Sequence, residues 1–275
     1  MKVLSRITTT ALALLALTSF SSAQPAAREA RLVEFDAPGA GPTVSPLPNA
    51  CAGGCGTVAY DNNDLGEIVG FYTDPNIVPH GFLRLPNGQI ISFDAPGAGL
   101  GHGLNQGTAA YAINNLGEIA GQFQDPSYVY HGFIRYPNGS FTTFDAPDAG
   151  TEANPGMGLF PGTFPYNINI RGTTAGNYID ANGVYHGFVR SPANKFTKVD
   201  PTGSVFTYIC EETCLNLDGT VAGFYSNVAP FIQTHGFVRY PNGIITSFDP
   251  PAPAGSTTVF TEAASINTKG EIAGL

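Results

Sequence analysis

Residues Tyr111–Pro147 read YAINNLGEIAGQFQDPSYVYHGFIRYPNGSFTTFDAP, and variants of this stretch recur along the chain. Four alignments fix the repeat. An Asn-x-x-Gly appears at Asn63–Gly66, Asn114–Gly117, Asn169–Gly172, Asn216–Gly219 and Asn267–Gly270. A second glycine follows four residues later, at Gly70, Gly121, Gly176, Gly223 and Gly274. His-Gly-Phe begins at His80, His131, His186 and His235, and an apolar run closes on an acid at Asp36, Asp94, Asp145, Asp200 and Asp249. The period is about 50 residues, the scale of a repeat built from several strands.

Each unit reads as four short strands, a to d. Strand a is Ala109 to Ile113 in the quoted copy. Asn114 to Gly117 then suits a type I turn, with glycine free to take positive φ. Strand b runs from Glu118 to Phe123, and Gly121 inside it marks a close backbone approach. Strand c is His131 to Tyr136. Pro137-Asn138-Gly139 predicts a tight primed hairpin turn into strand d, Ser140 to Phe144. Four antiparallel strands per repeat predict an all-β, five-bladed β-propeller. An open repeat arc or a β-solenoid is the alternative.

Strand alternation puts the tight a–b and c–d turns on one face and the longer b–c and d–a loops on the other. The second face then gathers the insertion from Asp148 to Pro165, and variable loops over a rigid frame are where function is expected. The chain opens its repeats with a lone strand d, Leu32 to Phe35, and ends with strands a and b only, Val259 to Leu275. Joining the two would complete a fifth, incomplete blade and cover two sheet edges.

The units carry Ile-Asn-x-x-Gly-Glu-Ile-Ala-Gly followed by His-Gly-Phe and an aliphatic residue. They resemble the HAF family of bacterial extracellular repeats, with glycine in place of the alanine of that family's His-Ala-Phe. The likeness covers nearly all of residues 31–275. It implies secretion and a propeller-like repeat fold, and it supplies no catalytic residue.

Residues 1–23 have the form of a signal peptide, with Lys2 and Arg6 ahead of an apolar run and small Ser21 and Ala23 before the cleavage point. The run is too short to span a membrane. The expectation is a secreted or periplasmic bacterial protein with one repeat domain over residues 24–275. The 275-residue chain has 43% hydrophobic and 11% aromatic residues, enough for a core, and no Trp. Its formal net charge is −9. An acidic surface repels phosphate backbones, so nucleic acid is not an expected partner, and no membrane insertion is expected.

Asp and His recur six residues apart as Asp74/His80, Asp125/His131 and Asp180/His186, with Asn227/His235 in the fourth unit. A carboxylate can fix an imidazole tautomer for catalysis or metal binding. Here the pair repeats in every unit, whereas a catalytic site is normally unique, so it reads as framework. Arg84, Arg135, Arg190 and Arg239 are likewise repeated and are expected to pair with a carboxylate, such as the Asp closing strand d. Asp61 to Glu67 is rich in oxygens, yet Leu65 stands where a calcium loop needs a ligand, and the stretch reads as a turn. Cys51 with Cys55, and Cys210 with Cys214, have the spacing of two local disulfides in an exported chain. No nucleophile or metalloprotease motif is present, so no catalytic residue, metal ligand or cofactor is assigned. Glu152, Glu211 and Glu212 are the carboxylates most free of the repeat. The reading that follows is a non-catalytic module binding an extracellular glycan or protein. Its candidate contacts are Tyr128, Tyr130, Glu152, Tyr166 and Tyr185, with Tyr111 as a further stacking surface. A carbohydrate-active hydrolase or lyase, needing two non-repeated acids in one cleft, and a structural repeat protein are the alternatives.

Overall fold

A computed structural model describes residues 32–41, 56–101, 106–211, 213–229, 233–251 and 260–275. The fold is all-β: eighteen strands and a single 3-10 turn, Pro155–Met157, make up the regular structure of these residues. The first sixteen strands form four antiparallel meanders in chain order. The first comprises β1 (Gly56–Asn62), β2 (Ile68–Thr73), β3 (Pro79–Arg84) and β4 (Ile90–Phe93). The second comprises β5 (Gly107–Ile113), β6 (Ile119–Gln124), β7 (Tyr130–Arg135) and β8 (Phe141–Phe144). The third comprises β9 (Gly162–Ile168), β10 (Thr174–Ile179), β11 (Tyr185–Arg190) and β12 (Phe196–Val199). The fourth comprises β13 (Phe206–Ile209), β14 (Val221–Ser226), β15 (His235–Arg239) and β16 (Ile245–Phe248). A last pair, β17 (Ala263–Ile266) and β18 (Ile272–Gly274), stands as a two-stranded sheet. The second and third meanders merge into one sheet through a parallel bridge from Tyr130 to Gly162.

Strands a to d of the quoted second unit thus appear where the repeat places them, to within a residue or two, whereas strand a of the fourth unit, β13, ends at Ile209, seven residues ahead of Asn216. Two expectations need correction. Leu32–Phe35 is not a strand, and Leu32 is 92% exposed. The expected N-terminal partner for the last pair is therefore absent from the described residues. The insertion also ends earlier than expected, because Gly162–Pro165 already belongs to β9. Of the two expected disulfides, the bond between Cys210 and Cys214 is observed. The bond expected between Cys51 and Cys55 is not among the observed ones, because Cys51 and Cys55 lie outside the described residues. Residues 1–23 lie outside them as well. No helix among the described residues is long and apolar enough to cross a membrane. Residues 36–275 make one compact unit.

Local chemistry explains the meanders. At the a–b turn Gly117 N–H donates to Asn114 O at 3.0 Å, and Gly117 takes φ +76°. At the c–d turn Gly139 N–H donates to Tyr136 O at 2.8 Å, and Gly139 takes φ +84°. The c–d hairpin is therefore not the primed turn expected from Asn-Gly. Pro137 locks its own φ negative, which a primed turn forbids at that position, so only the glycine becomes left-handed. Inside strand b, a Cβ on Gly121 would press on Ala109 O, at the place where the β5–β6 register slips by one residue. The glycine is what allows that bulge.

The core lies between successive meanders rather than within one. The phenylalanines of the four His-Gly-Phe copies, Phe82, Phe133, Phe188 and Phe237, are fully buried, each contributing about 2–3 kcal/mol. Phe133 packs with Val69, Leu83 and Ala110, so the first and second meanders share a cluster. Ile134, Phe144, Tyr178 and Phe188 join the second to the third. Val189, Ile209, Phe237 and Ala263 carry the packing on through the fourth to the last pair.

The turn asparagines lace the units together. Asn63 Nδ2 donates to Asn114 O at 3.2 Å, Asn114 to Asn169 O at 3.0 Å, and Asn169 to Asn216 O at 3.1 Å. Asn216 reaches Asn267 O at 3.4 Å. Each bond spans one repeat, with separations of 51, 55, 47 and 51 residues. In its own turn, Asn114 Oδ1 accepts from Leu116 N–H at 2.9 Å and Glu118 N–H at 3.0 Å. One side chain thus closes its turn and clamps the next.

Candidate functional site

Two constellations stand out, one repeated and one single. The repeated one centres on the histidines. His80 Nδ1 lies 2.8 Å from Asp94, His131 Nδ1 2.9 Å from Asp145, His186 Nδ1 2.7 Å from Asp200 and His235 Nδ1 2.9 Å from Asp249. The aspartate that closes strand d is therefore the main partner. The loop aspartates expected in that role stand farther away, at 3.8, 3.6 and 3.6 Å from Nε2 for Asp74, Asp125 and Asp180. They are occupied with their own loops: Asp125 Oδ1 accepts from Ser127 N–H at 2.8 Å and Val129 N–H at 2.9 Å. Three of the imidazoles also stack on the aromatic two residues after the strand b glycine, as Tyr72–His80 at 5.2 Å, Phe123–His131 at 5.0 Å and Tyr178–His186 at 4.8 Å, while His235 lies tilted against Tyr225 at 5.3 Å. The hydrogen bonds to Asp94 and Asp145 hold His80 and His131 above the ordinary histidine range, against the opposing effect of burial.

The strand d aspartates serve the histidines, and Arg135 and Arg190 are not paired with them among the described residues. Arg135 and Arg190 instead lie over the strand d phenylalanines of the preceding unit, Phe93 at 4.8 Å and Phe144 at 4.3 Å. Their guanidinium pKa values are lowered by burial. For Arg135 and Arg190 the expected carboxylate pairing is replaced by cation–π packing between units.

The single constellation is a tyrosine-lined pocket of about 440 Å³, bounded by Ala59, Tyr60, Asp61, Tyr111, Ala112, Tyr166, Glu211 and Thr213. Its rings come from strand a of successive units. Tyr60 and Tyr111 meet at 4.6 Å and 61°, Tyr111 and Tyr166 at 5.0 Å and 80°. Tyr208 of β13 follows at 6.2 Å from Tyr166, and its hydroxyl donates to Glu211 Oε1 at 2.5 Å. Burial, and then the charge of Glu211, pushes the Tyr60 phenol up; Tyr111 and Tyr166 rise well above the usual range through burial first.

Glu211 is delivered by a feature found in no other described unit. A disulfide joins Cys210 to Cys214, with Cα atoms 5.7 Å apart, and Glu211 sits inside the loop it closes. Asn167 of β9 fixes that loop, donating from Nδ2 to Cys210 O at 2.9 Å and accepting from Cys214 N–H at 2.8 Å. At the equivalent place in β1, Asp61 Oδ2 accepts from Ile113 N–H at 2.8 Å and Oδ1 from Asn62 N–H at 2.8 Å. Burial raises the Asp61 carboxyl.

Of the residues singled out in the sequence, Tyr111, Tyr166 and Glu211 line this pocket, while Tyr130 and Tyr185 pack with Tyr166 and Tyr208 in the adjoining aromatic cluster. Tyr128 rests 6.3 Å from Phe160, and Glu152 is exposed outside the pocket lining. Glu212 lies outside the described residues, as do Cys51 and Cys55, so the one cysteine loop placed against the site is that of Cys210 and Cys214. Tyr60 and Asp61 were missed as site residues. The signal was present as Tyr-x-x-Asn-x-x-Gly at Tyr60, Tyr111 and Tyr166.

No family model matches the sequence, and no curated protein matches it. Among solved structures, it aligns with a triple arginine-to-alanine mutant of AofleA from Arthrobotrys oligospora, at 15% identity and a TM-score of 0.40. The alignment covers 72% of this chain and 58% of that one.

Proposed function

We propose that this chain is an exported, HAF-like repeat protein, folded as a β-propeller, that binds an extracellular glycan or protein without transforming it. The meanders in chain order, the core between them and the asparagine lacing support a propeller-like arrangement. The disulfide supports an oxidising compartment. The observation that carries the binding reading is the tyrosine pocket, where units that are otherwise alike present three rings and the non-repeated Glu211. Tyrosines offer large, rigid contact area at low entropic cost.

A second reading, hydrolysis, draws on Asp61 and Glu211 lining one pocket. Two non-repeated acids in one cleft are what a glycosidase needs. Asp61, however, has both oxygens committed to backbone amides, which favours a structural acceptor over a proton donor. The test is a glycan array and an extracellular pull-down with the wild-type chain and Tyr111→Ala. Ligand capture by the first and not the second supports binding; two empty screens discard it. Release of reducing ends from a captured glycan would replace binding with hydrolysis.

A further inference from the structure

The binding reading can be taken one step further, to the chemistry of the group that the pocket holds. We propose that the pocket of Tyr60, Tyr111, Tyr166 and Glu211 takes a quaternary ammonium group, so that the ligand is a choline-like organic cation or carries one. This rests on the tyrosine pocket being the ligand site.

Ring geometry is the first ground. Tyr60 against Tyr111 and Tyr111 against Tyr166 are edge-to-face pairs, at 61° and 80°. Two consecutive steeply inclined ring pairs, the second nearly perpendicular, make walls on more than one side of the pocket. Ring faces attract a cation through their quadrupole, most strongly where water is displaced. Tyr166 is buried at one side, while Tyr60 at 39% exposure and the exposed Glu211 leave the other open to solvent. The elevated phenol pKa values keep these rings as neutral tyrosines.

Charge is the second ground. The lining holds two carboxylates and no Lys or Arg. Asp61 spends both oxygens on backbone N–H groups, whereas Glu211 has one oxygen on Tyr208 and no other hydrogen bond among the described residues. A net negative, aromatic cavity repels anions and gains little from a neutral ligand's dipoles.

The kind of cation follows from what the pocket lacks. No group of three or more His, Cys, Asp or Glu side chains among the described residues could hold a metal ion. A primary ammonium carries three N–H donors that each require an acceptor on burial; Glu211 has one carboxylate oxygen uncommitted among the described residues, and the other donors would fall to neutral Tyr and Thr hydroxyls, weaker acceptors than a carboxylate. A methylated ammonium has no N–H to satisfy. It needs ring faces and a nearby negative charge, which are what the lining supplies. A volume of about 440 Å³ holds such a headgroup with room for the rest of a small ligand.

The experiment is titration calorimetry of the full chain with choline, its neutral tert-butyl isostere and maltose, with pocket tyrosine fluorescence as the second readout. Choline is expected to bind about tenfold tighter than the isostere. Glu211→Gln should weaken choline several-fold and leave the isostere unchanged. Tyr111→Leu should abolish choline binding while Tyr111→Phe retains it, with thermal melts showing that both variants fold. Equal binding of choline and the isostere overturns the cation assignment, as does choline silence while maltose saturates the pocket; in both cases the binding site itself stands. Silence of all three probes overturns the pocket as a ligand site, and the cation assignment with it.

Discussion

The histidine clasps, on strands b to d, and the tyrosine pocket, on strand a of successive units, differ in how the repeat treats them. The clasp is copied: four histidines keep their Nδ1 within 2.7–2.9 Å of a strand d aspartate. The pocket is not copied. Its tyrosines are repeat-equivalent, but its carboxylates are an Asp61 that becomes Ala112 in the next unit and a Glu211 held in the disulfide loop. Pressure to keep neighbouring sheets in register acts on every unit, so its residues recur. A ligand site breaks the symmetry once. On the proposed reading, the residues most like a catalytic motif are framework, and the ligand site lies where the repeat changes.

The sharpest way to break that distinction is to remove a framework side chain and watch stability. Asn114 is buried, and its side chain bonds Leu116, Glu118 and the next unit's Asn169. Asn114→Ala should cost about 3 kcal/mol in denaturant unfolding. Asn267 ends the series: it is exposed, and among the described residues its side chain bonds only within its own turn. Asn267→Ala should cost about 1 kcal/mol or less. Equal losses at the two sites would remove the inter-unit lacing from the account. Next in size is His131→Ala, expected to cost about 2 kcal/mol by deleting the Asp145 bond and the stack on Phe123.

The third unit shows how the framework can be improved. There Arg190 Nε donates to Asn194 Oδ1 at 2.8 Å, and Asn194 occupies the left-handed place at φ +60°. The second unit has Gly139 at that place, and Arg135 is buried with Nε and Nη1 unpartnered among the described residues. Gly139→Asn should supply the acceptor and reduce the entropy of the unfolded chain. Asparagine tolerates positive φ, so a gain of about 1 kcal/mol is expected. A loss would mean that strain at this turn exceeds the new bond.

A smaller effect follows from protonation. His80 and His131 have folded-state pKa values raised above the unfolded value. Their contribution is fully present below the unfolded pKa of about 6.5 and is lost as pH rises through the higher folded value. With both side chains partly exposed, the combined change should stay below about 1 kcal/mol. Melting temperature should fall slightly from pH 6 to 8, and His80→Gln/His131→Gln should flatten the slope; an unchanged slope would discard the histidines as its source.

Most strands, the positions of the turns and the roles of the glycines were legible because they are local: periodicity, Asn-x-x-Gly and Pro-Asn-Gly act within a few residues. The partner of each histidine was not, because spacing favoured the loop aspartate six residues earlier. The β3–β4 register decides instead. It sets Gly81 opposite Phe93 and so brings His80 beside Asp94. The c–d turn was misread for the opposite reason, since Asn-Gly outweighed the φ that Pro137 imposes. The pocket is assembled from β1, β5, β9 and the disulfide loop, and no single unit contains it. Sequence supplied its rings through Tyr-x-x-Asn, but their convergence depends on packing between units.

The smallest expected effect bears most directly on the comparison. Glu211 is exposed and is not repeated, so Glu211→Gln should change unfolding free energy by less than about 0.5 kcal/mol. The amide can still accept from the Tyr208 hydroxyl through its carbonyl oxygen, so the contact survives while the charge is lost. Electrostatics should respond where stability does not. The charge of Glu211 contributes to the raised pKa of Tyr60, Tyr111, Tyr166 and Tyr208. Removing it should lower the alkaline midpoint of phenol ionisation for the exposed member, Tyr60, followed by ultraviolet difference absorbance. A stability loss as large as that of His131→Ala would instead make Glu211 part of the framework, and the line between copied and single residues would no longer separate structure from site.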